Sequence, residues 1–143
     1  MVVPTALQTR HSISINAPAQ KVWDAITTPE LIKKWFFGVD TETDWTEGGP
    51  IVHRGEWKGK PYEDKGTILR FDAPRLLEHT HWSSMSGVPD SEDNYQTVSW
   101  ALADKGGRTE LTVSETNLPS EEAKSTSDAS WPMVLDQLKK LVE

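Results

Sequence analysis

The sequence contains no cysteine among its 143 residues. This absence excludes disulfide bonds, thiolate nucleophiles and zinc sites with cysteine ligands, and it weakly favours a reducing compartment. A chain of this length does not need such cross-links, because it buries roughly 70% of the surface that its unfolded form exposes. We therefore expect a single domain over residues 1–143, with no metal and no other cofactor.

Long apolar segments and an excess of positive charge are also missing. No segment approaches the roughly 18 apolar residues of a membrane span, and the opening MVVPTALQTRHSISI lacks the apolar core of a signal peptide. The net charge is −7 at pH 7, so the chain repels nucleic acids and anionic membranes. These features predict a cytoplasmic protein with no nucleic-acid partner and no membrane span.

Tryptophan, in contrast, is abundant. The seven tryptophans are Trp23, Trp35, Trp45, Trp57, Trp82, Trp100 and Trp131. Any one of them is most simply a core residue, because its ring buries a large area and its N–H needs only one partner. Spread over almost every predicted element, together they favour a cavity lined with aromatic side chains.

The C-terminal segment carries the clearest helix pattern. Its apolar side chains recur every three or four residues, at Trp131, Val134, Leu135, Leu138, Leu141 and Val142. Pro132 lies inside this pattern, so the helix either kinks there, which we expect, or restarts at Asp128 or Ser130. The preceding residues are mostly typical of strands. The helix must therefore bury its stripe against a sheet, and the gap between them is a natural site for a small molecule.

Alternation and turn residues divide the rest of the chain into short elements. A strand is predicted over residues 9–16, followed by a helix over 19–26 and a second helix that begins at Thr28-Pro29 and includes Trp35. Further strands are predicted over 51–57, 62–71, 75–82, 95–103 and 109–116. We expect Leu69 and Phe71 to face inward. Residues 83–93 have few apolar side chains and predict a mobile loop.

The strand over 75–82 has two faces that alternation alone does not distinguish. One face carries Leu77, His79 and His81, and the other carries Glu78. The spacing of His79 and His81 is compatible with a metal site that takes His53 as a third ligand from another strand. Two surface histidines explain the pattern more simply, and we expect no metal.

Whether the Glu78 side chain faces inward or outward decides whether the cavity contains a candidate general acid or base. Facing inward, its carboxyl would lie among aromatic side chains, where desolvation raises the pKa, and it could act as general acid or base beside His53. Facing outward, it pairs with Arg54 or Arg70 across strands. No nucleophile elbow, phosphate loop or Ser/His/Asp arrangement is present in the sequence.

The chain resembles a known family over residues 9–143. The segments that carry the resemblance are ISINAPAQKVWDAITTPELIKKWF, GGPIVHRGEW, DKGTILRFDAPRLLEHTHW, TELTVSETNLP and SWPMVLDQLKKLVE. In this order and spacing they are similar to the activator-of-heat-shock-protein-ninety-ATPase homologue family, within the START-like (SRPBCC, Bet v 1-like) superfamily. The resemblance implies an α+β helix-grip fold. A seven-stranded antiparallel sheet wraps around a long C-terminal helix, with two short helices between strands 1 and 2.

The resemblance also implies a hydrophobic cavity between the sheet and the C-terminal helix. In the family pattern Leu76, Glu78, Thr80 and Trp82 form the inward face of their strand. Together with the residue pattern, this gives an expected set of cavity residues: Trp35, Phe36, His53, Trp57, Tyr62, Leu69, Phe71, Glu78, Trp82, Trp100, Val113, Trp131 and Leu135. Phe37 and the loop over 83–93 are expected at the mouth.

Three functions remain open at this point. Relatives in the superfamily bind lipids, hormones or polyketides, others stimulate a chaperone ATPase, and a few catalyse cyclisation or hydrolysis. Our leading expectation is that a small hydrophobic or aromatic ligand binds in the cavity without chemistry. The alternatives are a co-chaperone module whose partner is a chaperone, and a polyketide cyclase- or hydrolase-like enzyme.

Overall fold

The elements follow the predicted order in a computed structural model that describes residues 7–143. They are β1 (Gln8–Ile15), α1 (Ala19–Thr27), α2 (Pro29–Trp35), β2 (Asp40–Thr43), β3 (Pro50–Trp57), β4 (Lys60–Asp72), β5 (Leu76–Ser83), β6 (Gln96–Asp104), β7 (Thr109–Thr116) and α3 (Glu121–Val142). A short 3₁₀ turn, Glu92–Asn94, precedes β6. The first six residues of the expected domain lie outside the described residues.

The seven strands form one antiparallel sheet in the order β1-β7-β6-β5-β4-β3-β2. From β2 onward each strand pairs with the next along the chain, and β7 then pairs with β1. Helices α1 and α2 carry the chain from one edge strand, β1, to the other, β2. This arrangement confirms the predicted helix-grip fold.

The two short helices are joined to each other through a tryptophan. Pro29 occupies the first turn of α2, where its missing N–H leaves no carbonyl unpaired. The Trp35 Nε1–H at the end of α2 donates a hydrogen bond of 2.8 Å to the Ala25 carbonyl of α1. Trp23 and Ile32 are buried in the same core. This bond satisfies the indole N–H and sets the position of the Trp35 ring.

Helix α3 runs through Pro132 as one helix, so the two-piece alternative is wrong. The Ser120 side chain accepts a hydrogen bond of 3.1 Å from the Ala123 N–H and caps its start. Pro132 lies on the exposed side. From Val134 onward the apolar stripe is buried in the core, whereas the first half of α3 covers a space above the sheet.

A β-bulge changes the facing of β4. Ile68 pairs with His79, but Arg70 pairs with Glu78, so Leu69 is an extra residue. Ile68 is fully buried, Leu69 is 44% exposed, and Phe71 turns inward again. The expectation that Leu69 faces inward is therefore wrong, because strict alternation does not hold across a bulge.

Candidate functional site

A cavity of about 440 Å³ lies between the inner face of the sheet and the first half of α3. Strands β3 to β7 form its floor, and residues of α2 and of the loop after β5 contribute to its walls. The surface of the cavity is mostly apolar. Its size lies within the range of about 300–1,000 Å³ that is typical of small-molecule pockets.

Aromatic rings line one side of the cavity. The centroids of Trp35 and Trp100 are 5.8 Å apart, and those of Trp100 and Trp131 are 5.5 Å apart, both pairs edge to face. Phe36 stacks on Trp35 at 5.4 Å. These contacts pack the rings against one another, so they form one continuous aromatic surface.

His79 also lines the cavity and is held neutral. Its Nδ1–H donates a hydrogen bond of 3.0 Å to the Thr80 carbonyl, and its Nε2 accepts one of 3.3 Å from the Trp100 indole. A second proton on Nε2 would therefore point at an N–H group. Burial is the main reason that the pKa of His79 falls to about 3.

His53 is also buried and neutral. Its Nδ1 shares a hydrogen bond of 2.8 Å with the Thr41 hydroxyl, and Phe36 lies edge-on to its ring. Burial and the nearby His81 lower the pKa of His53 to about 4. Within residues 7–143 its Nε2 has no hydrogen-bond partner, although the ring lies on the cavity wall.

Asp64 and His81 form a buried pair on the same wall. The Asp64 residue on β4 pairs with His53 on β3, and Asp64 Oδ2 accepts a hydrogen bond of 3.1 Å from His81 Nε2. Burial alone would lower the pKa of His81, but the bond and charge of Asp64 outweigh it and raise that pKa. Burial opposes ionisation of Asp64, but His81 outweighs it in turn and lowers the pKa of the carboxyl.

Two polar atoms of this pair have no hydrogen-bond partner in the described part of the chain. They are Asp64 Oδ1 and His81 Nδ1, and both are inaccessible to solvent. Buried polar atoms are normally bonded, so each such exception calls for an explanation.

Glu115 adds a second carboxylate to the cavity wall. It lies on β7, is buried, and accepts a hydrogen bond of 2.6 Å from the Ser127 hydroxyl of α3. Its charge also contributes to the raised pKa of His81. This bond connects the sheet to the half of α3 that covers the cavity.

The mouth of the cavity carries two exposed apolar side chains. Phe37, just after α2, is 51% exposed, and Met85, in the loop after β5, is 50% exposed. Both line the cavity as well. The loop is anchored on the opposite face of the sheet, where Trp82 stacks on Tyr95 and its Nε1–H donates to the Val88 carbonyl at 3.1 Å.

The structure brings part of the predicted residue set to the cavity and leaves the rest elsewhere. On the wall are Trp35, Phe36, His53, Trp100 and Trp131. Val113 and Leu135 are fully buried in the core that supports the cavity, while Tyr62 and Phe71 pack half-buried against that core.

Four predicted residues point away from the cavity. Glu78 lies on the opposite face of β5, where the Ser99 hydroxyl donates to it at 3.0 Å and Arg70 lies 3.9 Å away, and Trp82 is on the same face. Trp57 is 50% exposed because the β3–β4 hairpin extends beyond the core. Leu69 is displaced by the bulge. The inward face of β5 is the one with Leu77, His79 and His81, so the expectation that the two histidines lie on the surface is also wrong.

Besides placing His79 and His81 on the surface, sequence reasoning missed two acidic residues of the cavity wall. Asp64 was overlooked because the bulge in β4 reverses the alternation on which the inward assignment of Leu69 depended. Glu115 continues the alternation of the buried Leu111 and Val113, and this pattern could have revealed it.

Among residues 7–143, no three histidine, aspartate or glutamate side chains are arranged to hold a metal ion. No helix in the same range is long and apolar enough to cross a membrane.

Comparisons with solved structures give close matches over nearly the whole chain. ChR145 from Cytophaga hutchinsonii is 39% identical, with a TM-score of 0.82, over 98% of this chain and 95% of that protein. CalU16 from Micromonospora echinospora is 26% identical, with a TM-score of 0.76, over 95% of this chain and 76% of that one. DynU16, from the dynemicin biosynthetic locus, is 20% identical with a TM-score of 0.78, over 95% and 47% of the two chains, and shows the shared fold alone.

A comparison with curated proteins finds no match. The family model described as activator of Hsp90 ATPase homolog 1-like protein matches residues 16–143. With an aromatic cavity under its C-terminal helix and this match over most of its length, the chain belongs to the activator of Hsp90 ATPase homolog 1-like family.

Proposed function

We propose that this protein binds a small hydrophobic or aromatic molecule in the cavity beneath α3. The observation that carries the proposal is a space of about 440 Å³ whose wall is mostly apolar and includes the packed rings of Trp35, Trp100 and Trp131. Protein interiors are normally packed without voids much larger than a water molecule. An apolar space of this size therefore lowers stability, and filling it with a ligand restores the lost contacts.

The positions of the aromatic rings indicate where the ligand binds and how it enters. Its apolar part packs between Trp35, Trp100 and Trp131, and it enters past Phe37 and Met85 at the mouth. A module that binds its partner only through its surface does not need an internal cavity, which lowers stability. The cavity therefore favours ligand binding over the co-chaperone alternative. The position of Glu78 on the opposite face of β5, where it accepts a hydrogen bond from Ser99, argues against the enzyme alternative that used it as an inward acid or base.

A titration with naphthylmethanol, a neutral aromatic alcohol, tests the proposal. We expect saturable heat in calorimetry, and amide shifts in NMR spectra that centre on the cavity wall. Ala123→Phe places a ring into the cavity from α3 and should abolish binding. Ala129→Phe on the exposed side of the same helix is the matched control and should leave binding unchanged.

Both variants are first compared with the parent protein by thermal unfolding, so that a loss of binding is not a loss of folding. Equal binding by the parent and by a folded Ala123→Phe variant would contradict the proposal. Absence of binding to the parent protein by any neutral aromatic probe of this size would contradict it as well.

A further inference from the structure

The electrostatic character of the cavity limits the ligands that fit, provided that the proposed binding function holds. The titratable side chains that face the cavity are Asp64 on β4, Glu115 on β7, His53 on β3, and His79 and His81 on β5. From α2, α3 and the loop after β5, the described residues contribute no charged side chain to the wall, and no lysine or arginine lines it. The fixed charges of the wall are therefore two carboxylates and, at most, one imidazolium.

Unpartnered acceptors lie within this wall. His81 Nε2–H donates a hydrogen bond to Asp64 Oδ2. In a neutral His81 the other ring nitrogen, Nδ1, therefore carries a lone pair and is a hydrogen-bond acceptor. Asp64 Oδ1 is a second acceptor. Neither atom has a partner at hydrogen-bonding distance among the described residues, although the Ser83 side chain lies beside Asp64 and the Gln96 side chain lies beside His81. Both atoms are closed off from solvent, so a ligand responds mainly to the negative charge of the Asp64 carboxylate, which favours a positively charged group.

The raised pKa of His81 also indicates a preference for positive charge, because the surroundings of this side chain stabilise an added proton in the free protein. The aromatic side of the cavity acts in the same direction. The ring faces of Trp35, Trp100 and Trp131 carry negative charge density that attracts cations. A buried carboxylate of a ligand, in contrast, would lie near Asp64 and Glu115, and the one imidazolium of the wall, His81, is already paired with Asp64.

We propose that the cavity selects hydrophobic organic cations, such as aromatic amines, and rejects fatty acids and other anionic amphiphiles. The apolar part of the ligand packs on the tryptophan rings, and its ammonium group lies beside the Asp64 and Glu115 carboxylates on the polar side of the wall.

Three probes with the same ring system and different charge test this selectivity. They are naphthylmethylamine, which is a cation at neutral pH, naphthylmethanol, which is neutral, and naphthoate, which is an anion. The first probe places a positive charge near the Asp64 and Glu115 carboxylates, so we expect it to bind at least about tenfold more tightly than the alcohol. The anion should bind at least about tenfold more weakly than the alcohol.

Variants identify the carboxylate responsible. Asp64→Asn should bring the affinities for the amine and the alcohol to within about threefold of each other, and Glu115→Gln should reduce the preference if Asp64→Asn does not fold. Glu78→Gln removes a carboxylate from the opposite face of the sheet and is the matched control, which should keep the full preference.

The release of protons when a ligand binds provides a second test of the selectivity. The cation competes with the proton on His81, so its binding should release protons, and its affinity should rise with pH until His81 is neutral in the free protein. Calorimetry in two buffers of different ionisation enthalpy measures the number of protons released. The alcohol should release fewer.

The outcomes separate this inference from the proposed function. Equal binding of all three probes, or tighter binding of the anion, overturns the selectivity and leaves the cavity as a binding site. A preference for the amine that persists in folded Asp64→Asn and Glu115→Gln variants also overturns it. Failure of all three probes to bind overturns the proposed function and this inference together.

Discussion

Acidification should destabilise this protein, because two buried histidines are held neutral in the folded state. The pKa values of His53 and His79 are lowered to about 4 and about 3, mainly by burial, whereas an unfolded chain restores a value near 6.5. Between pH 6.5 and 4 the unfolded state therefore binds more protons than the folded state. Stability is present above the unfolded pKa and is lost as the pH falls.

The size of the effect follows from the number of protons. Two histidines change the free energy of unfolding by up to about 2.7 kcal/mol per pH unit within this window. Allowing for a gradual onset near pH 6.5, the loss by pH 4.5 is about 4 kcal/mol, a large part of the roughly 5–15 kcal/mol that stabilises a typical domain. His81 acts oppositely, because its pKa is raised and its contribution is lost as the pH rises. Stability should therefore peak near neutral pH.

Urea unfolding followed by tryptophan fluorescence, repeated across this pH range, measures the loss directly. His79→Gln retains an acceptor for the Trp100 N–H but cannot titrate, so this variant should show about half the slope with pH. NMR titration of the imidazole protons should find His53 and His79 neutral down to about pH 5. A free energy of unfolding that stays constant between pH 6.5 and 4.5, or imidazoles that titrate near 6.5, would refute the reasoning.

Three further substitutions test particular parts of the structure. Gly66→Ala should lower the free energy of unfolding by about 3 kcal/mol, because its Cβ would lie 1.7 Å from the Thr80 carbonyl oxygen; a loss below about 1 kcal/mol in urea unfolding would contradict this close approach. Pro132→Ala should raise the free energy of unfolding by about 2 kcal/mol, since alanine supplies the N–H that the Asp128 carbonyl lacks; no gain in the same assay would mean that α3 already relieves the proline. Glu78→Gln should leave calorimetric affinity for naphthylmethanol within about twofold, and a larger loss would place this carboxylate at the cavity.

The fold could be predicted because its signals are local and repeated. The apolar stripe from Trp131 to Val142 identifies α3, and Thr28-Pro29 marks the start of α2. The strand patterns between 51 and 116 are separated by glycine and proline turns, so their order along the chain is clear. The pairing of the strands could not be predicted from local patterns, and it came from the resemblance to the family.

The facing of β4 and β5 could not be predicted in the same way. Both faces of β5 alternate equally well, so the choice between Glu78 and His79 depends on its neighbours in the sheet. The bulge at Leu69 is set by the pairing of β4 with β5 and has no clear local signal. These two features direct the side chains of Asp64, His79 and His81 into the cavity. The polar residues of the site could therefore not be predicted from local sequence patterns.

The position of a bound aromatic probe shows whether the space beneath α3 is the binding site. Naphthylmethanol, or naphthylmethylamine if it binds more tightly, is added to protein labelled at its methyl groups, and nuclear Overhauser effects from the ring protons of the probe are measured. Binding in the cavity should give strong effects to Val98 on its floor and to Val134 on α3. Saturable binding with effects only to methyl groups outside the cavity would contradict it.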